Sequence, residues 1–316
     1  MMRLRSMSPR LTSPLRNISS SSAYRARNPP VDPPLQTQAP GFAYTVESES
    51  PSEPSSKLPK VVLLHGGPGS HADFRYISGE FAALRGLDKD PLPTLIRVDL
   101  RGYGSSQPPL QTPSAANLAS SLLDGLQASE EGDGHTSSYI FVGHSLGAHV
   151  ALEAARQQPE VVAGLGFIAP VCFSHHYGLR PYFVNRFAGK NTEHFLLGPP
   201  IRKAIDFFYT QFGFPASIPL EEKVYTHRRV AELDFDGARV IAEHFDKPWF
   251  LAYPNDDHLI EPFIYEELAG VMGGGQEGQG HVVVFDKGGH NIQKSQSHAI
   301  VQNLLEFYEK HWRENE

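Results

Sequence analysis

The stretch Gly143-His144-Ser145-Leu146-Gly147 decides how this chain is interpreted. It follows residues 139–142, a short aromatic and β-branched run that predicts a buried strand. It precedes an Ala-rich stretch over 146–158 that predicts a helix stopped by Pro159. A serine between a strand and a helix lies on a tight turn, which small flanking glycines permit. We therefore predict that the Ser145 hydroxyl is held out at the end of a sheet as a nucleophile.

Strand and helix patterns alternate along most of the chain. Strands are predicted at 60–64, 94–98, 139–143, 164–169, 248–253 and 281–285, and helices near 74–85, 114–128, 146–157 and 295–312. This alternation predicts an α/β fold with a mostly parallel sheet flanked by helices. Such sheets place functional residues at the carboxyl ends of their strands. The glycine-rich stretch 270–280 predicts a mobile surface loop.

The interval between Pro170 and Pro248 breaks the alternation because its pattern is helical throughout. Pro200 begins one predicted helix and Gly213 ends it. We predict an inserted helical cap over about 172–247, within an α/β domain of residues 41–316. The cap is rich in aromatic residues, which include Phe173, Tyr177, Tyr182, Phe183, Phe187, Phe195, Phe207, Phe208 and Tyr209. Most of these aromatic residues are expected to pack internally, and some to line a substrate pocket.

The composition excludes several classes of function. A net charge of −7, from 28 basic and 35 acidic residues, points neither to nucleic acid nor to a membrane surface as a partner. The longest uncharged apolar run, residues 161–173, is too short to cross a bilayer, so no transmembrane segment is predicted. The single cysteine, Cys172, excludes an internal disulfide, and the histidine spacing predicts no metal or other cofactor.

Residues 1–40 form a leader that differs from the rest of the chain. It carries six arginines and no acidic residue before Asp32, together with many serines and several prolines. This composition is typical of a mitochondrial transit peptide and equally of a disordered basic tail. The expected location is therefore mitochondrial or cytoplasmic.

Three further motifs accompany the Ser145 stretch in a fixed order. They are His65-Gly66-Gly67-Pro68-Gly69, Asp99-Leu100-Arg101-Gly102-Tyr103-Gly104 and Gly288-Gly289-His290. His290 follows the predicted strand 281–285 and so lies at the same end of the sheet as Ser145, where it can act as the base that serine requires. On these motifs the chain resembles the α/β-hydrolase fold superfamily over roughly residues 42–316.

The resemblance implies a role for each motif. Ser145 is the nucleophile, His290 the base, and an aspartate after the strand 248–253 orients the imidazole. Asp257 fits the family pattern of Asp, any residue and then apolar residues, and Asp256 remains the alternative.

The resemblance also implies an oxyanion hole, formed by the backbone N–H groups of Gly67 and Leu146. His65 is expected to brace the loop that carries Gly67, and Asp99 to shape the turn after an earlier strand. The resemblance further implies a cis Gly67-Pro68 bond, as in related members that share the His-Gly-x-Pro motif.

The activity that the resemblance implies is cofactor-free cleavage of an ester or related acyl bond in a small, apolar substrate. An aminopeptidase or amidase is an alternative, because the 65–69 motif is similar to that of proline iminopeptidases; those enzymes tend to carry Trp where this chain has Leu146. A second alternative is a hydrolase-fold ligand-binding protein with little turnover. Haloalkane or epoxide hydrolysis would require an aspartate at position 145.

Overall fold

In a computed structural model, the described residues are 16–18, 36–38, 42–47, 58–84, 92–130, 137–274 and 278–313. The strands are β1 (Arg16–Ile18), β2 (Gln36–Gln38), β3 (Phe42–Glu47), β4 (Lys60–Leu64), β5 (Leu95–Asp99), β6 (Tyr139–His144), β7 (Val162–Ile168), β8 (Trp249–Pro254) and β9 (Gly280–Phe285). The helices are α1 (Arg75–Leu84), α2 (Ala115–Glu130), α3 (Gly147–Gln157), α4 (Tyr182–Lys190), α5 (Gly198–Gln211), α6 (Leu220–Ala231), α7 (Phe235–Glu243), α8 (Pro262–Gly273), α9 (Ile292–Ser295) and α10 (Ser297–Tyr308).

The strands of the described ranges form one sheet in the order β1-β9-β8-β7-β6-β4-β5-β3-β2. Neighbouring strands are parallel from β1 to β5, whereas β3 is antiparallel to both β5 and β2. The predicted α/β fold with a mostly parallel sheet is confirmed. The short strands β1 and β2 lie inside residues 1–40, and whether that leader targets the protein to mitochondria stays a prediction.

Helices cover the sheet in two groups. One group contains α2, α3, α7 and α8, and the other contains α1, α9 and α10. Burial on both faces explains why the central strands read as continuous apolar runs; residues 61–64 of β4, for example, have no exposed surface. No helix in the described part of the chain is long and apolar enough to span a bilayer.

The cap inserts between β7 and β8 and contains the helices α4 to α7. The helices α4 and α5 both pack against α6, whereas α7 packs against α3 and α8 beside the sheet. The cap therefore adds a helical layer that stands over one end of the strands.

The prediction of a mobile loop over 270–280 is wrong for the first residues of that range, because α8 continues through Gly270 to Gly273. Glycine disfavours a helix by roughly 1 kcal/mol per residue. Burial of Leu268, Ala269 and Met272 against the core offsets that cost. Residues 275–277 of the predicted loop lie outside the described residues.

Candidate active site

Ser145 lies on the turn between β6 and α3, with its backbone in the left-handed region at a φ of 51°. Its N–H donates to the Ile168 carbonyl at 3.2 Å, and its carbonyl accepts from the Ala148 and Val171 N–H groups at 3.1 and 3.0 Å. Non-glycine residues rarely adopt this conformation. The three hydrogen bonds therefore hold a locally strained turn in place.

The glycines that flank Ser145 are required by close backbone packing. A Cβ on Gly143 would lie 2.5 Å from the Ala148 nitrogen, and a Cβ on Gly147 would overlap the Leu64 carbonyl oxygen. The turn can form only where both positions lack a side chain, which is the physical basis of the motif.

Ser145, His290 and Asp257 form a continuous hydrogen-bonded chain. The Ser145 Oγ lies 2.9 Å from the His290 Nε2, and the His290 Nδ1 lies 2.8 Å from the Asp257 Oδ2. An ionised carboxylate only accepts hydrogen bonds, so Nδ1–H donates to Asp257 and leaves Nε2 to accept from the serine hydroxyl. Both Ser145 and His290 are buried. The arrangement has the geometry of a nucleophile, its base and an orienting acid.

Asp257 accepts hydrogen bonds from three other groups besides His290. Its Oδ1 accepts from the N–H groups of Leu259 at 2.8 Å and Ile260 at 3.2 Å, and the Tyr265 hydroxyl donates to Oδ2 at 2.5 Å. Burial alone would raise the pKa of Asp257, but the hydrogen bonds from His290 and Tyr265 outweigh it and hold that pKa well below its usual value. The carboxylate is thus ionised and fixed in orientation at neutral pH.

Asp256, the alternative acid, faces a different partner. Its Oδ1 accepts from the N–H groups of Gly288 and Gly289, each at 2.8 Å. These glycines adopt φ values of 158° and 62° just before His290. Asp256 therefore ties the histidine loop to the end of β8 without contacting the imidazole.

The Gly67 and Leu146 N–H groups, predicted to form an oxyanion hole, lie in the same part of the structure as Ser145. Both residues line the same cavity as Ser145, and within the described ranges neither N–H donates a hydrogen bond to the protein. The loop passes close to the serine, since a Cβ on Gly66 would lie 3.0 Å from the Ser145 Cβ. The Gly67-Pro68 peptide bond is cis.

His65 and Asp99 fix the loops around this pair of N–H groups. The Leu100 N–H donates to the His65 Nε2 at 3.0 Å, so the ring donates from Nδ1 to the Gly66 carbonyl at 2.7 Å. Burial lowers the pKa of His65 and keeps the ring neutral. Asp99 accepts from the His71 N–H, the His71 ring and the Ser105 N–H, and so serves as a loop carboxylate.

Two further histidines flank His290. The His144 Nε2–H donates to the His290 carbonyl at 3.1 Å, which couples the end of β6 to the loop that carries His290. The His176 Nδ1–H donates to the Leu259 carbonyl at 2.9 Å, beside Asp257. Burial and the nearby His290 lower the pKa of His144 to about 3, and burial lowers that of His176 to about 4. Both rings are therefore neutral neighbours of His290.

Buried imidazoles also occur away from the site. His149 lies under α7 with its ring 5.9 Å from that of Phe235, and His227 is buried in α6. Burial lowers the pKa of each to about 4. His175 stacks on Tyr182 in the cap and does not line the cavity.

A cavity of about 680 Å³ lies between the sheet and the cap and contains the serine hydroxyl. Its apolar lining includes Val171, Leu179, Phe208, Phe212, Phe214, Ile218, Val230, Leu259 and Ile260. Most of these side chains come from the cap, so the cap supplies the apolar wall opposite Ser145. The volume suits a small-molecule ligand.

Three charged side chains, Asp73, Glu222 and Lys294, also line the cavity. Lys294 pairs with Asp73 at 2.6 Å, and the half-buried Glu222 of α6 lies beside Asp73 without an ion-pair partner in the described part of the chain. Burial and then the charge of Asp73 raise the pKa of Glu222. No group of three His, Cys, Asp or Glu side chains in the described ranges is arranged to hold a metal ion.

The sequence of this chain matches the model of a known family over residues 61–303, described as an alpha/beta hydrolase family. The chain belongs to the alpha/beta hydrolase family. The matched range contains the strands β5 to β9, all but the first residue of β4, the turn that carries Ser145, and His290. Membership supports hydrolase activity. A comparison with curated proteins finds no match.

Solved structures share the fold of this alpha/beta hydrolase at low sequence identity. A thermophilic esterase from Thermogutta terrifontis is 20% identical, with a TM-score of 0.61, covering 87% of this chain and 97% of its own. A haloalkane dehalogenase loop variant from Bradyrhizobium elkanii is 19% identical, with a TM-score of 0.62 and coverages of 89% and 98%. A hydrolase from Oleispira antarctica is 15% identical, with a TM-score of 0.61 and coverages of 84% and 94%. At these identities the likeness concerns the fold.

The structure brings together all five residues that the sequence predicts for the site: Gly67, Ser145, Leu146, Asp257 and His290. Sequence reasoning missed the contacts of Tyr265, His144 and Glu222. Nothing in the sequence indicated the contact of Tyr265 with Asp257, since the helix α8 was not predicted. Glu222 has the pattern of one of two adjacent surface acids.

Proposed function

We propose that this alpha/beta hydrolase is a serine hydrolase that cleaves esters of apolar acids through an acyl-enzyme on Ser145. The observation that carries the proposal is the hydrogen-bonded chain from Ser145 through His290 to Asp257, beside two unused N–H groups in one cavity. The apolar wall supplied by the cap supports an apolar acyl group as the occupant.

The geometry supports the following sequence of steps. The Ser145 Oγ attacks the ester carbonyl while the His290 Nε2 takes its proton, and Asp257 stabilises the imidazolium that forms. The negative charge on the former carbonyl oxygen is met by the N–H groups of Gly67 and Leu146. Collapse of the intermediate breaks the bond to the alcohol, which receives the proton from His290. Water then repeats the steps and releases the acid.

A series of p-nitrophenyl esters of increasing chain length tests the proposal. We expect turnover of the series, with kcat/KM rising as the acyl chain fills the apolar wall. A folded protein that binds these esters but does not turn them over would overturn the proposal in favour of a ligand-binding role.

Gly67→Ala is expected to lower kcat by roughly 100-fold, the scale of losing one oxyanion donor. The new Cβ would lie 2.9 Å from the Thr226 Cγ2 and 3.2 Å from the Tyr103 hydroxyl, so the loop must shift and carry the N–H with it. The measurement is kcat on a soluble ester.

Thr226→Ser provides the matched test, because it removes only the Cγ2 that the new Cβ meets. We expect the Gly67→Ala/Thr226→Ser protein to recover much of the lost kcat relative to the Thr226→Ser reference. Unchanged activity in Gly67→Ala would contradict the prediction and show that the new side chain does not displace the Gly67 N–H.

A second candidate, an aminopeptidase, is favoured by one observation. Glu222 presents a half-buried carboxylate to the cavity, and Lys294, a nearby cation, is already paired with Asp73. A free substrate amine would supply the missing positive charge. A hydrogen-bonded charged contact of this kind is worth about 1.5–3 kcal/mol.

Glu222→Gln separates the two candidates. We expect ester hydrolysis to be nearly unchanged, because a neutral ester gains nothing from the carboxylate. For aminoacyl p-nitroanilides, kcat/KM would instead fall by about 10-fold or more if Glu222 bound the amine. Glu221→Gln is the control, since this neighbouring carboxylate is exposed and pairs with Arg202. If aminoacyl p-nitroanilides are turned over strongly, and Glu222→Gln lowers this turnover while Glu221→Gln does not, the aminopeptidase would replace the esterase as the proposed function.

A further inference from the structure

Large apolar side chains are exposed in the cap to an unusual degree. Of the eleven exposed in the described part of the chain, nine lie between residues 177 and 220. Six of them fall within residues 183–197, here called the apolar cap segment: Phe183, Val184, Phe187, Phe195, Leu196 and Leu197. The expectation that most cap aromatics pack internally is therefore wrong for this segment. Large contiguous apolar surfaces on a protein mark sites of interaction.

The packing of α4 explains why its aromatics face outward. Asn185 and Gly189, one turn apart, form its buried face, and a Cβ on Gly189 would lie 2.6 Å from the Ala231 Cβ of α6. Phe183 and Phe187 occupy the opposite face and are 74% and 56% exposed. The helix thus turns its glycine toward the protein and its phenylalanines toward the exterior.

The turn that follows α4 is held by its own polar contacts. The N–H groups of Leu196 and Leu197 donate to the His194 Nδ1 at 3.3 and 3.2 Å. Phe195, at the tip, is 80% exposed, and among the described residues its ring stacks on the His194 ring alone. The backbone of this tip is therefore fixed while its apolar side chains remain free for a partner.

The charge around the segment is positive. Residues 177–207 contain five basic and two acidic residues, in a chain whose net charge is −7. Two of the five, Arg180 and Arg202, pair with Glu261 and Glu221, which lie outside this range. Arg186 and Lys203 are exposed and have no ion-pair partner within the described ranges, and the nearest carboxylate to Lys190 is 3.9 Å away. The net charge of the chain conceals this local excess, which is why the composition did not indicate it.

We propose that the apolar cap segment docks on a membrane surface that contains anionic lipid. Aromatic and leucine side chains would enter the boundary between headgroups and acyl chains, and Arg186, Lys190 and Lys203 would face the lipid phosphates and carboxylates. A second copy of the chain fits less well, because it would bring a like charge to the same contact. Docking would also bring the cavity near the apolar molecules of the bilayer, because the cap supplies the apolar wall of that cavity.

Vesicle co-sedimentation of the full chain tests this proposal. The vesicles are phosphatidylcholine with and without phosphatidylserine. We expect wild-type protein to bind the anionic vesicles, and the Phe187→Ser/Phe195→Ser protein to lose at least about tenfold in partition coefficient. Phe263→Ser, which alters an exposed phenylalanine of α8 outside the segment, should bind as the wild type does. Arg186→Glu should weaken binding to the anionic vesicles and not to the neutral ones.

Two results would overturn the proposal. One is a folded wild-type protein that binds neither kind of vesicle. The other is a dimer in sedimentation velocity that the Phe187→Ser/Phe195→Ser change dissociates, since the segment would then be covered by a second copy. The thermal midpoint of each variant, expected to be unchanged because these side chains make little internal contact, confirms that a loss of binding is not a loss of fold.

Discussion

Ser145→Ala is expected to abolish hydrolysis, with kcat falling by as much as about 10⁶-fold, the scale of removing a triad serine. The alanine keeps the Cβ against which Gly66 packs, so the turn retains its contacts while the atom that attacks is gone. The same change should remove labelling by a fluorophosphonate probe, which reacts with an activated serine. Both readouts are measured on the purified full chain.

Ser217→Ala is the matched control for this experiment. Ser217 also lines the cavity but has no histidine base in hydrogen-bonding reach among the described residues. We expect it to retain labelling and activity. Persistent labelling of folded Ser145→Ala would show that the nucleophile is another residue and would remove the basis of the proposed mechanism.

Asp257→Asn is expected to lower kcat by about 10⁴-fold, because it holds His290 in the wrong tautomer. The Asp257 Oδ1 accepts from the Leu259 and Ile260 N–H groups, so the carbonyl oxygen of an asparagine would be fixed at that position. Its NH₂ group would then face the His290 Nδ1 and donate to it. The imidazole proton is then forced onto Nε2. A protonated Nε2 can no longer accept the proton of Ser145.

Asp256→Asn distinguishes the two neighbouring aspartates. An asparagine oxygen can still accept from the Gly288 and Gly289 N–H groups, so the histidine loop should stay in place and most activity should remain. The measurements are kcat for both variants and their thermal midpoints. If Asp256→Asn proves to be the inactive variant, the orienting acid lies one position earlier and the tautomer argument for Asp257 fails.

Much of the fold could be predicted from the sequence because burial on both faces leaves a strong local pattern. The predicted strands correspond to β4 to β9 with ends shifted by a residue or two, since each is a continuous apolar run between polar loops. The helix α8 escaped prediction because Gly270 and Gly273 oppose helix formation locally, and only tertiary burial of its other face decides the outcome.

The candidate site could be predicted to a similar degree, and for a related reason. Ser145 and His290 each follow a strand, and parallel strands bring such residues to one edge of the sheet. Contacts that depend on the approach of separate layers left no trace in the sequence. The Tyr265 hydroxyl on Asp257 is one example, and the outward orientation of the cap aromatics is another.

The buried neutral histidines make the folding of this protein a proton-linked reaction. In His65, His144, His149, His176 and His227 burial places the pKa below the ordinary value of 6.5. Below pH 6.5 the unfolded chain binds protons that the folded protein excludes, so acid shifts the equilibrium toward unfolding. This contribution to stability is fully present above pH 6.5 and is lost progressively as the pH falls toward 4, or toward 3 for His144. The packing that keeps the neighbours of His290 uncharged is thus also expected to lower the stability of the fold in acid.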